Sequence, residues 1–350
     1  MTHAHRQESA ASVRRALTFL LKMQRPDGLW SDFYTLAGQS NHWVSAVVGC
    51  ALTRGIIGSD GGSVDRALAE LAKEQRSHGG WAYNRKVPGD CDSTAWVLQF
   101  MLRRSWPKSS SLFRAARYVL RHQDPDSGGF STYAPPDRIE RFIGVRPEQT
   151  QGWLAPHLGV SCTSVEALIE AGADCRAPRM AKALRYIAAQ RPPGGLWSCY
   201  WWCGHGYATY HALRALSLGN EIDKQTVAEV SNAILERQAA DGTWGTQGTS
   251  SVFETAEMLR ALHLIAHREP ALVSPIRKAR LALLERQKND GSFEPTPMLR
   301  IPPPHVADPG TVAAWRIDQP GTGVLISDSE RVYTTASAIS ALCMPCWKGQ

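Results

Sequence analysis

The chain has 350 residues, 43% of them hydrophobic and 20% charged, which is the balance of a globular protein with a large core rather than of a disordered or fibrous one. No apolar run nears the roughly 20 residues of a membrane-spanning helix, and the short apolar stretch Ala16 to Leu21 runs into Lys22 without a small-residue cleavage site, so a cytoplasmic protein is expected. The net charge of +7 is scattered among acids, with no basic block and no nucleic-acid motif, which argues against a nucleic-acid partner.

From the N-terminus onward one unit recurs. A Gln, a short turn, one or two glycines and an aromatic appear as QRPDGLW (Gln24 to Trp30), QRSHGGW (Gln75 to Trp81), QDPDSGGF (Gln123 to Phe130), QRPPGGLW (Gln190 to Trp197), QAADGTW (Gln238 to Trp244) and QKNDGSF (Gln287 to Phe293). Each Gln ends a segment with apolar residues three and four apart, such as Val13, Ala16, Leu17, Leu20 and Leu21, the mark of an amphipathic helix. After each aromatic comes a second, more apolar helix: HWVSAVVGCAL, DSTAWVLQFML, SCTSVEALIEA, YATYHALRAL, FETAEMLRAL and YTTASAISAL. The Ser and Thr near these starts are expected to satisfy orphan backbone donors of the helix. Six such helix pairs predict an all-α protein, an (α/α)6 barrel of helix-turn-helix repeats, with residues 1–350 as a single domain.

If the six inner helices begin at one end, their first residues ring one mouth: His42 and Trp43, Asp90 and Asp92, Cys162, His205 and Tyr207, Phe253 and Glu254, Val332 and Tyr333. The N-terminal dipole ends gathered there can hold carboxylates ionised or bind anions. Two long insertions, Tyr133 to Leu158 and the Pro- and Gly-rich Glu294 to Glu330, are expected to lie over this mouth, since loops of such length in a compact domain are usually lids or disordered.

Within the second repeat stands GGWAYNRKVPGDCDSTAWVL (Gly79 to Leu98). Its GGWAY followed by Asp90-Cys91-Asp92-Ser93-Thr94-Ala95 resembles the GGWAF and Asp-x-Asp-Asp-Thr-Ala motifs of class II terpene cyclases, squalene-hopene cyclases in particular. The Gln-to-Trp turns resemble the QW repeats of that family. GLWSCYWWCGHGYATYHALRAL (Gly195 to Leu216) and DGTWGTQGTSSVFETAEMLRAL (Asp241 to Leu262) are similar to two further family segments, in order. The resemblance covers nearly the whole chain but only one of the family's two barrels, the acid-bearing one, and so implies a monodomain cyclase whose insertions close the cavity.

Starting a polyene cyclisation requires a carboxylic acid that stays protonated in a dry place, and burial beside a second carboxylate keeps a proton on such a pair. By the family's motif Asp92 maps to the proton donor and Asp90 to its supporting acid, while Ser93 departs from the family in replacing the last Asp. SCTSVEAL (Ser161 to Leu168) resembles the ECTSS segment of sterol-forming cyclases, which implies that Cys162 donates a hydrogen bond to Asp92; the alternative is a buried small hydrophobe, the commoner fate of a thiol. A carbocation needs aromatic faces, an attraction worth about 2 kcal/mol when desolvated. The motifs map Tyr83, Trp201 and Tyr207 onto cavity-lining aromatics, and position on the inner helices adds Trp43 and Tyr333. Trp30, Trp81, Trp197 and Trp244 read as structural. His42 and His205 are candidates to orient the acid or take the final proton, against the commoner fate of a satisfied core histidine.

The resemblance implies a linear hydrophobic prenyl substrate, free or carried on an aromatic head group, with its terminal alkene or epoxide protonated and no metal or organic cofactor required. Peripheral contact with a membrane is compatible with so apolar a substrate. The sequence leaves the oligomeric state open. Prenyltransferase subunits share the fold but need a zinc pattern in which a Cys stands where this chain has Asp92. Of the eight cysteines, expected as thiols, Cys199 and Cys203 with His205 lack a fourth zinc ligand, and Cys343-x2-Cys346 has only two. The reading from another class is a prenyl- or lipid-binding protein that has kept the acid motif without turnover.

Overall fold

The computed structural model describes residues 3–55, 61–106, 110–246 and 248–344, so that Cys346 lies outside the described residues. Six helices form an inner ring: α2 (His42–Gly55), α4 (Cys91–Arg103), α8 (Leu158–Glu170), α10 (Gly206–Leu218), α12 (Val252–Ile265) and α14 (Val332–Leu342). Each packs on the next in that order, and α14 packs back on α2 to close the ring. Around them run α1 (His3–Lys22), α3 (Gly61–Lys73), α5 (Ser110–Arg121), α9 (Pro178–Ala189), α11 (Lys224–Glu236) and α13 (Val273–Glu285). The architecture is an (α/α) barrel.

The two helix classes differ as their sequences do. Residues Val332 to Leu342 of α14 are buried throughout, as an element packed on all sides requires, whereas α5 buries only Leu112, Ala115, Tyr118 and Val119, one stripe at helical spacing.

The recurring Gln and aromatic are staples between neighbouring repeats. In four turns the indole Nε1 donates to a carbonyl near the end of the preceding outer helix: Trp30 to Leu20, Trp81 to Leu71, Trp197 to Ile187 and Trp244 to Ile234, at 2.6 to 2.9 Å. The Gln amide donates twice, once to its own turn and once to the first residues of the following outer helix. Gln75, for example, reaches Gly79 O at 2.8 Å and Ser111 O at 2.9 Å. Gln287 reaches Ser12 O at 2.9 Å and so ties the last outer helix to the first. Gln190 is exposed and departs from this pattern; there Arg191 reaches α11 through Glu229 at 2.6 Å.

The Ser and Thr near the inner-helix starts serve the turns more than the helix ends. The backbone N–H of the repeat aromatic donates to Ser45 (from Trp30), Thr94 (from Trp81), Ser161 (from Phe130), Thr255 (from Trp244) and Thr335 (from Phe293). The turn is thus locked to the helix that follows it. Short hairpins form there as well: β1 (Asp32–Thr35) with β2 (Gly38–Ser40), β3 (Trp81–Ala82) with β4 (Gly89–Asp90), and β5 (Trp244–Thr246) with β6 (Thr249–Ser251), all antiparallel.

The two insertions are ordered and meet over the mouth. The first carries the short helices α6 (Ile139–Ile143) and α7 (Gln151–Leu154); the second folds into a sheet of β7 (Leu299–Ile301), β8 (Arg316–Ile317) and β9 (Val324–Ile326), with β9 in the middle. Trp153 joins them, its Nε1 donating to Pro302 O at 3.0 Å and its backbone N–H to Pro304 O at 3.2 Å. Among the described residues no helix is long and apolar enough to cross a membrane.

Candidate active site

The mouth holds a cavity of about 510 Å³, within the usual range of ligand pockets. Its walls come from the β1–β2 tip, the first turn of α4, both insertions and the segment before α10. Most of the lining is apolar: Trp43, Tyr83, Val87, Tyr133, Ile139, Trp153, Trp201, Trp202, Leu299 and Ile301 among others, with Leu36 and Phe142 at the exposed rim. Into this surface project two carboxylates, Asp90 and Asp92.

They do different work. Asp90 is the N-cap of α4: its Oδ1 accepts from Ser93 N at 2.6 Å and its Oδ2 from Ser93 Oγ at 2.8 Å. Ser93, the departure from the family motif, is therefore a donor that satisfies Asp90. Burial raises the Asp90 pKa to about 7 against the lowering effect of those two bonds, and the Asp92 charge adds to the rise. Asp92 sits in the first turn of α4. Its Oδ1 accepts from Thr163 Oγ1 of α8 at 2.6 Å. Burial lifts its pKa to about 6, opposed by the Thr163 bond and by His211.

The structure corrects three sequence expectations here. Thr163, not Cys162, donates to Asp92; Cys162 is fully buried and does not line the cavity. Successive helix residues point about 100° apart, so only one of the two can face α4. His42 turns outward, with Nε2 on Glu74 Oε2 at 2.7 Å and Nδ1 accepting from Ala82 N at 3.4 Å. Burial, with the charges of Arg76 and Arg85, lowers its pKa to about 4 and keeps the ring neutral, against the opposing effect of the Ala82 contact. His205 places Nδ1 on Trp197 O at 3.0 Å and also lies off the cavity. Both histidines brace turns.

Among the predicted aromatics, Trp43, Tyr83 and Trp201 line the cavity. Tyr83 is fixed by its hydroxyl on Phe33 O at 2.5 Å, and Trp201 by Nε1 on Thr132 Oγ1 at 2.7 Å. Tyr207 and Tyr333 lie one layer deeper, around a void of about 10 Å³. Sequence reasoning missed Thr163, Trp153, Tyr133 and Trp202. The Trp201-Trp202 pair was visible, but nothing local says that both indoles face inward. Among the described residues no three His, Cys, Asp or Glu side chains gather as metal ligands.

The model of the squalene-hopene cyclase C-terminal domain matches residues 79–261, more than half of the chain and the stretch that carries both carboxylates. The chain belongs to the squalene-hopene cyclase family. Drimenyl diphosphate synthase of Streptomyces showdoensis is 26% identical over 249 residues, which are 68% of this chain and 42% of that protein. The chain thus spans less than half the length of this curated family member. Solved structures of the type II terpene cyclase MstE from Scytonema match over nearly the whole of both chains. The complex with geranylgeranyl dihydroxybenzoate, its substrate, is 27% identical with a TM-score of 0.86 over 98% of each chain. The complex with merosterolic acid A, its product, gives 27% and 0.85 over the same shares. This family member is therefore similar to a class II terpene cyclase made of one barrel.

Proposed function

We propose that this chain is a proton-initiated class II cyclase in which Asp92 protonates the terminal alkene or epoxide of a linear prenyl chain. The observation that carries the proposal is a carboxylic acid with a pKa raised to about 6 set in the wall of an aromatic cavity. A hydrocarbon filling that cavity removes the remaining water from Asp92 and pushes its pKa further up, so substrate binding itself favours the protonated acid. The proton passes to the less substituted alkene carbon as a new C–H bond, leaving the cation on the tertiary carbon. The Thr163 bond stabilises the carboxylate left behind. Trp43, Tyr83, Trp201 and Trp202 offer ring faces to the migrating cation, and loss of a proton or capture by an internal nucleophile ends the reaction. Asp90 acts through α4 as a positioning residue. The likeness to MstE, solved with a geranylgeranyl dihydroxybenzoate, supports a prenylated aromatic acid as the substrate class, with the prenyl tail innermost and the head group at the rim.

The test is incubation of the wild type and Asp92→Asn in heavy water with linear prenyl diphosphates, alcohols, epoxides and prenylated dihydroxybenzoates, read by mass. A cyclised product from the wild type alone is expected, carrying one added deuterium on carbon when an alkene is protonated and an exchangeable one on oxygen when an epoxide is opened. No product across the panel, with binding retained, would replace this reading by that of a prenyl-binding protein.

A further inference from the structure

Trp202 lines the cavity and packs on the rings that lie behind it. Its indole stacks on Tyr207 at 4.7 Å, Phe253 at 5.0 Å and Tyr333 at 5.2 Å, and meets Trp43 at 5.7 Å. These partners belong to four inner helices, α10, α12, α14 and α2, so the ring lies across the barrel axis. Above it is the cavity of about 510 Å³. Below its stacking partners is the void of about 10 Å³, room for no more than about one water.

The backbone holds Trp202 there from both sides. It bridges Leu299 of β7, while Cys203 N donates to Met298 O at 2.8 Å and Arg300 N to Trp201 O at 2.7 Å. The next residue, Gly204, has φ +74, and a Cβ there would lie 2.4 Å from the Glu254 carboxylate. Glu254 in turn accepts from His205 N at 2.8 Å and Gly206 N at 2.9 Å. With the backbone pinned in this way, the four ring contacts hold the indole across the axis.

We propose that Trp202 is the depth stop of the cavity and thereby the residue that selects prenyl chain length. The inference rests on the cyclase reading above. Protonation requires the reacting carbon about 3 to 3.5 Å from the acid. A chain that enters tail first is halted by Trp202 with its terminal alkene against Asp92, and only one length then leaves the head group seated at the rim.

The experiment compares wild type with Trp202→Ala, Trp202→Leu and Trp202→Phe on dihydroxybenzoates bearing two to five isoprene units. In Trp202→Ala the longest chain that binds is expected to grow by one unit, while the tail now reaches past Asp92 and conversion of the wild type's best substrate falls by at least about tenfold, since a misplacement of about 1 Å is enough for that. Trp202→Phe keeps the wild-type preference, and Trp202→Leu carries the test if the Ala variant does not fold. Folded Ala and Leu variants whose longest bound chain is the same as in the wild type would overturn the proposal. Calorimetry with linear alkanols of increasing length supplies a readout free of turnover. A wild type that converts nothing while the longest alkanol gaining affinity lengthens in Trp202→Ala refutes the cyclase reading and keeps the depth stop; an unmoved limit refutes the depth stop.

Discussion

Replacing the acid should make the protein more stable, and by an amount that depends on pH. Asp92 is raised from 3.8 to about 6 on folding, which at about 1.4 kcal/mol per pH unit is a penalty of about 3 kcal/mol once the group is ionised in both states. The sign follows from the direction of the shift. Below about pH 3 the carboxyl is protonated folded or unfolded and costs nothing. As pH rises through the folded value the native state must give up a proton it holds more tightly than the unfolded chain does, and stability is lost. Asn cannot ionise, yet it keeps an oxygen for the Thr163 hydroxyl, so Asp92→Asn removes the penalty without opening a hole. The expected result is an Asn variant more stable than wild type by about 3 kcal/mol at pH 8, with the difference fading to nothing by about pH 3. Paired denaturant titrations of the two proteins across that range measure it, because the contributions of groups that do not feel the Asp92 charge cancel in the comparison, while relief of Asp90 adds to the gain. A variant of equal or lower stability at pH 8, or a gain that does not change with pH, would refute the assignment of Asp92 as a desolvated acid.

Thr163→Val removes the 2.6 Å bond that favours ionised Asp92. A hydrogen bond to a charged group is worth about 1.5 to 3 kcal/mol, so the limb of the pH–rate profile that falls with rising pH should move up by about 1 to 2 units, with a lower plateau because the acid is weaker. Cys162→Ala should leave that limb where it is, which distinguishes the two neighbours on α8. Ser93→Asp restores the family's third acid but sets a carboxylate against Asp90 where a donor at 2.8 Å now stands. Denaturant titration should show a loss of stability at pH 8 that shrinks on acidification. Trp81→Phe deletes the indole bond to Leu71 O at 2.7 Å and should cost about 1 to 3 kcal/mol of stability, with the identity of the cyclised product unchanged by mass.

The barrel was legible in the sequence because its cause repeats. Gln24, Gln75, Gln123, Gln238 and Gln287 each reach one carbonyl in their own turn and one in the next repeat, so a local signal written at regular intervals already encodes the ring. The positions of Asp90 and Asp92 were legible for the same reason, since two residues at the start of an inner helix must lie at its mouth. Direction was a different matter. Whether His42 faces the cavity or Glu74, whether Thr163 or Cys162 meets Asp92, and whether Trp202 fills the axis or packs in a loop depend on neighbours contributed by other repeats and by β7. Sequence spacing fixes which helix end a residue occupies. Its angular orientation is set by packing among six helices and two insertions, and at about 100° per residue an offset of one position exchanges a wall of the cavity for the core behind it.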